Sequence, residues 1–114
     1  MSTPNLPYLD AEEGMKRIGN NKALFSRLLD TFLKDKSWDT IVSSLDAGDL
    51  PAAANAAHAI KGMCANLSMK ALSAKAAELE LLLKSGETST ALLEEVAQVR
   101  QGTLDTIAAF KATL

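Results

Sequence analysis

The chain has little of what usually carries chemistry or stiffens a small fold. Of its 114 residues only Cys64 is a cysteine, so no internal disulfide and no cysteine-rich metal site can form. Aromatic residues make up 4% of the chain, and prolines stand only at positions 4, 7 and 51. No apolar run is long enough to span a bilayer. The first residues, Met1 to Pro7, lack the basic and apolar parts of a signal peptide. A net charge of -2 gives no general attraction to nucleic acid or to an anionic membrane. These absences leave a soluble cytoplasmic protein, with no nucleic-acid or membrane partner, as the expectation.

What is present is helical. Alanine and leucine dominate, apolar residues make up 47% and charged residues 23%, and the length suits one domain with a core of its own. Residues 1–8 read as a short arm and 9–114 as the domain. Asp10-Ala11-Glu12-Glu13 has the form of a capping box, with Glu13 reaching back to open a short helix that stops near Gly19-Asn20-Asn21. Asn21 can cap the next segment, where Phe25, Leu29 and Phe32 suffice to face a core and Leu24 and Leu28 are left over. The period continues through Trp38, Ile41, Val42 and Leu45 after a break or bend near Asp35-Lys36-Ser37.

Gly48 then suits a helix end, and Asp49 with Pro51 suits the start of a helix from about Leu50 to about Asn66. A turn at Leu67-Ser68-Met69 leads to a helix carrying Leu72, Ala76, Leu79, Leu82 and Leu83, with Gly86 as its stop. Ser89 or Thr90 caps a last helix carrying Leu93, Val96, Val99, Leu104, Ile107 and Phe110. Short connections make neighbouring helices antiparallel. The expected fold is all-α, an up-and-down four-helix bundle with a short extra N-terminal helix.

The one histidine, His58, lies inside the Leu50–Asn66 helix. At roughly 100° per residue, Ile60, Cys64 and Leu67 gather on the side opposite His58, with Ala53 and Ala56 beside them and Met63 at the edge. The residues around His58 are Ala54, Asn55, Lys61, Gly62 and Ala65, all polar or small apart from the lysine stem. His58 therefore projects outward from a cleared face. A lone helical histidine is ordinarily a surface residue without chemistry, and three neighbours argue against that here. The face is free of bulk, Lys61 stands one turn away where it can meet an anion, and Gly62 costs about 1 kcal/mol against alanine in a helix interior.

An exposed imidazole is a nucleophile at neutral pH and can hold a phosphoryl group as a phosphoramidate. Such transfer needs positioning and charge neutralisation, part of which Lys61 can supply. With no second histidine and no paired carboxylates in reach along the helix, this face cannot hold Mg²⁺ or Zn²⁺, so no cofactor of the chain itself is expected. Cys64 and Trp38 read as core residues, and Met63 and Met69 as packing.

The segment His58-Ala59-Ile60-Lys61-Gly62, preceded by Asp49 and followed by Leu72 and Leu79-Glu80, resembles the histidine phosphotransfer (HPt) domain family of multistep two-component phosphorelays. Leu9-Asp10, Leu28-Leu29, Phe32, Gly48-Asp49 and Ala57-His58 extend the resemblance over roughly residues 9–112. It implies a four-helix bundle whose exposed histidine takes a phosphoryl group from one receiver aspartate and gives it to another. On that reading His58 is the phospho-acceptor at Nε2, Lys61 neutralises the phosphoryl charge, and Gly62 clears room for the receiver. Ala11, Met15, Leu24, Leu28 and Ala59, with Ala54, Asn55 and Ala65 around the histidine, are the implied docking residues.

The implied partners are response-regulator receiver domains and a hybrid sensor histidine kinase, with Mg²⁺ brought by the receiver and the chain itself a monomer. Two positions depart from the family pattern: Met63 replaces a frequent small hydroxyl residue, and Ser68 replaces a common glycine. The chain has no Gly-rich phosphate loop, so an ATP-using enzyme is not expected. Two other functions stand beside the carrier. One is a bundle that binds receivers or other signalling proteins without accepting phosphate. The other is a hydrolase with His58 as base, disfavoured because no orienting acid lies at an obvious spacing. Met1 and the complete bundle favour a free-standing protein.

Overall fold

Four side chains set where helices begin. Asp10 accepts from the Glu13 amide at 3.0 Å, Asn21 from Leu24 at 3.0 Å, Asp49 from Ala52 at 3.1 Å and Ser89 from Leu92 at 3.1 Å. Each satisfies an amide that the first turn leaves without a partner. A computed structural model describes residues 8–114 as six helices: α1 Ala11–Lys16, α2 Lys22–Lys34, α3 Ser37–Asp46, α4 Leu50–Asn66, α5 Lys70–Lys84 and α6 Thr90–Lys111. Among the described residues there is no strand. The expected arm over 1–8 falls outside them except for Tyr8, whose ring lies against the backbone of Gly102 on α6, where a Cβ would meet it at 2.6 Å.

The all-helical bundle agrees with the sequence, but the helix count does not. What reads as one bent helix is two, because Asp35 takes an extended backbone (ψ 141°) and its side chain accepts from the Ser37 amide at 2.8 Å. The capping box is half made. Asp10 caps α1, but the Glu13 carboxylate turns outward to Arg17 at 3.1 Å and Lys70 at 2.6 Å, since two cations outcompete a backbone amide.

Like the short α1, whose Asn20 amide returns to Met15 and Gly19 amide to Lys16, three longer helices end in the same way. In α3, α4 and α5 two amides beyond the end fold back onto the carbonyls of the last turn: Asp49 to Ser44 and Gly48 to Leu45, Met69 to Cys64 and Ser68 to Ala65, Glu87 to Leu82 and Gly86 to Leu83. This motif needs a left-handed residue just past the helix. Gly48 (φ 74°) and Gly86 (φ 86°) fill it at two ends, whereas Ser68 (φ 59°) fills it at the third.

Short connections turn α3, α4 and α5 into antiparallel neighbours, so α4 packs against α3 on one side and α5 on the other, and α6 closes on α5. Phe25 and Phe110 meet edge to face at 5.7 Å, and Lys111 pairs with Asp30 at 2.6 Å, which fastens α2 to α6. The core is built from Phe25, Leu29 and Phe32 of α2 together with Ile41, Ile60, Leu72, Leu79, Val96 and Ile107, all buried. Leu24 and Leu28 remain half-buried, as the surplus of apolar positions on α2 predicts. Trp38 is only half-buried, with the Arg100 guanidinium 5.8 Å from the centre of its ring. No helix of the described residues is long and apolar enough to cross a membrane.

Candidate functional site

Alanines give α4 its position. Ala53, Ala54, Ala56 and Ala57 are buried, and side chains this small let α3 and α5 approach the helix closely. Ile60 and Cys64 continue the inner face. Burial pushes the Cys64 thiol up to about 12, with the Asp35 charge adding to it, so this cysteine is an inert core residue. The outer face is what remains uncovered: Asn55, His58, Ala59, Gly62 and Ala65 are all exposed.

Ala54 does not belong to that face. It is 3% exposed, whereas the helical wheel places it beside His58. The wheel cannot register that helices close on α4 from both sides and narrow its open strip.

The His58 side chain is 65% exposed, and its Nδ1 lies 2.9 Å from Oε2 of Glu80 on α5. Glu80 is 4% exposed and gathers two ammonium groups as well, Lys61 at 3.0 Å on Oε1 and Lys84 at 2.8 Å on Oε2. Hydrogen bonds from Lys84 and then Lys61, with a smaller contribution from His58, outweigh burial and hold the Glu80 carboxyl at about 2. Glu80 is therefore ionised at neutral pH and can only accept. The proton in the bond must belong to Nδ1, which leaves Nε2 with a free lone pair at the open end of the ring.

Glu80 enters the sequence reading only within the family pattern and without a role; the structure places its carboxylate against His58, where an acid at an obvious spacing was lacking. A trace of it is visible in the chain. The apolar stripe Ala76-Leu79-Leu83 places position 80 against the neighbouring helix, and a carboxylate there needs partners. Lys84 follows one turn on along the same helix, but His58 and Lys61 lie on another, His58 22 residues back, at a distance that no local spacing reveals.

Gly62 differs from other helical glycines of this chain. At Gly14 a Cβ would meet the Phe25 ring at 2.7 Å, and at Gly102 the Tyr8 ring at 2.6 Å, so packing explains both. At Gly62 a Cβ would meet nothing within 4 Å, and its φ is not in the left-handed region. Nothing inside the described fold asks for a glycine there.

Around this centre lie two different surroundings. A recess of about 340 Å³ is lined by Ile18, Leu28, Thr31, Phe32, Met63, Asn66 and Leu67 and is largely apolar. Arg17, Lys61 and Lys70 line a second one with Ser73 and the alanines Ala65, Ala74 and Ala77. Arg17 also donates to the Ala65 carbonyl at 2.9 Å, which ties the end of α1 to the last turn of α4. Of the expected docking residues, Leu28 lines the apolar recess, while Ala11 and Met15 are half-buried against the core and Leu24 is half-buried.

An exposed histidine near the middle of one helix of an antiparallel bundle matches the resemblance read from the sequence. The model of the Hpt domain family matches residues 27–110, most of the chain. The chain belongs to the Hpt domain family. It is thus a histidine phosphotransfer module of two-component signalling, a family of phosphoryl carriers without an ATP site of their own. The match takes in the Asp49 cap, His58, Lys61, Gly62, Glu80 and Lys84, whereas Ala11, Met15 and Leu24 precede it. No curated protein and no solved structure matches the chain.

Proposed function

We propose that His58 accepts a phosphoryl group from the aspartyl phosphate of one receiver domain and passes it to the aspartate of another. The observation that carries this is the His58–Glu80 bond, which fixes the proton on Nδ1 and turns a bare Nε2 to solvent. In the forward step the bond from phosphorus to the aspartyl oxygen breaks as the Nε2–P bond forms. The carboxylate leaves, the Nδ1 proton stays, and the ring takes up a positive charge beside Glu80. In reverse the ring leaves neutral, so the step runs either way without a proton acceptor. Glu80 acts on the ring as a buried aspartate acts on a catalytic histidine: it holds the tautomer and stabilises the imidazolium.

Lys61 stands on α4 one turn beyond His58 and meets the charge of the transferred group. Gly62 admits the receiver close to the helix. The apolar recess at Leu28 and Met63, with Ala11, Met15 and Leu24 nearby in sequence and Asn55, Ala59 and Ala65 around the histidine, forms the docking ground. The divalent ion comes with the receiver, and a hybrid sensor kinase stands upstream.

Incubation with a phosphorylated receiver and Mg²⁺ tests this. Wild type acquires acid-labile, base-stable phosphate, and His58→Gln acquires none while folding normally. A His58→Gln chain that still takes up label, or a wild type that no receiver labels, refutes the reading.

A further inference from the structure

Glu80 has more positive charge around it than it needs. One ammonium would neutralise the carboxylate, yet Lys61 occupies Oε1 at 3.0 Å and Lys84 occupies Oε2 at 2.8 Å, the same oxygen that takes the His58 Nδ1 proton. The two lysines are tethered differently. Lys84 projects from α5, one turn beyond Glu80 itself, whereas Lys61 projects from α4, one turn beyond His58. Lys61 is also the less exposed of the two, at 37% against 60%.

A phosphoryl group on Nε2 adds about two negative charges to the outer face of α4. Lys61 is the cation on that helix, and to reach the phosphoryl oxygens it must let go of Oε1. A carboxylate as buried as Glu80 is strongly disfavoured once its counter-ion leaves. With Lys84 in place it is never without one.

We propose that Lys84 is a positioning residue for phosphoryl transfer: it is the standing counter-ion of Glu80, and so releases Lys61 to move onto the phosphoryl group while Glu80 keeps its hold on Nδ1. The inference rests on His58 as the acceptor and goes beyond it by dividing the labour between two lysines. The exchange moves one ammonium group from a carboxylate to a phosphoryl group, and no proton changes hands.

The test is a double-substitution cycle, read as the rate of phosphoryl transfer between chain and receiver at saturating receiver, with receiver affinity measured separately. Lys84→Ala slows transfer about three- to tenfold, the scale of coupling between partners in one ion-pair network. It leaves the receiver Kd unchanged, and Lys84→Arg restores the rate. Lys61→Ala slows transfer further, and on a Glu80→Gln background Lys84→Ala changes nothing more, because Lys84 acts only through the Glu80 charge. Lys84→Gln, a second neutral variant, behaves as Lys84→Ala if the effect is one of charge and not of helix propensity.

No slowing by Lys84→Ala, equal slowing with and without the Glu80 charge, or a loss carried entirely by Kd each overturns the proposal. His58→Gln in parallel keeps the two claims apart. Label on that chain overturns the acceptor, whereas an unlabelled His58→Gln with additive effects of Lys84→Ala and Glu80→Gln overturns the role of Lys84 alone.

Discussion

On the inner face of α4, Ala53, Ala57, Ile60 and Cys64 touch other helices on every side, and each residue type is explained by what surrounds it. On the opposite side of the same helix His58 stands in solvent, a Cβ at Gly62 would meet nothing within 4 Å, and a carboxylate from α5 is buried against His58 and Lys61. The inner face minimises the energy of the chain by itself. The outer face carries a glycine that packing does not require and borders the buried charge and second lysine of α5, all of which the proposed transfer would use. Selection for folding and selection for transfer are thus separated by roughly half a helical turn.

The comparison is broken most severely from the inside. Ile60→Ala leaves a cavity in the core and lowers unfolding free energy by about 2 to 5 kcal/mol, measured by denaturant or thermal melting, although Ile60 touches no partner. Next comes the outer face. Glu80→Gln removes the charge and offers an amide that can donate to Nδ1, which favours the wrong tautomer. Transfer then falls by about 10- to 100-fold, the usual loss when the group that orients a histidine is removed.

The same variant changes the acid limb of stability. Glu80 titrates at about 2 when folded against an ordinary 4.5, so its contribution is present above pH 4.5 and is lost as the pH falls towards 2. Melting curves of Glu80→Gln across that window show a weaker decline than those of wild type.

Gly62→Ala sharpens the contrast further. It stabilises the fold by about 1 kcal/mol, because alanine is the better helix former and its Cβ meets nothing. The same methyl lies where the partner approaches, so transfer slows while the melting temperature rises. The smallest effect lies just beyond the helix. Ser68 holds a left-handed backbone in a motif that glycine fills at α3 and α5, and its buried hydroxyl has no hydrogen-bond partner among the described residues. Ser68→Gly raises stability by about 0.5 to 1 kcal/mol, read by melting, with transfer unchanged.

The inner face was legible in the chain and the outer one only half so. The caps at Asp10, Asn21 and Asp49, the bounds of α4 and the Phe25-Leu29-Phe32 stripe follow from local chemistry and from a period of 3.6 residues. Both are written in adjacent residues. His58, Lys61 and Gly62 were visible for the same reason, since one helix carries them all. Glu80 was named only within the family pattern and Lys84 not at all, because their placement against His58 and Lys61 depends on how α5 is rotated against α4, a tertiary fact. Ala54 was misplaced on the outer face for the converse reason: a wheel knows one helix and not the two that flank it. The interruption at Asp35 reads as a break or a bend because the apolar period persists across it, and the extended backbone of Asp35 makes it a break between two helices.

The central claim is that Glu80 holds the Nδ1 proton and so makes Nε2 of His58 the accepting atom. Long-range nitrogen–proton spectra of the ¹⁵N-labelled chain, recorded before and after incubation with a phosphorylated receiver, test it directly. The account predicts Nδ1 as the protonated nitrogen of the neutral tautomer in the free chain and phosphorus bonded to Nε2 afterwards. A free ring protonated at Nε2, or phosphate found on Nδ1, would contradict it.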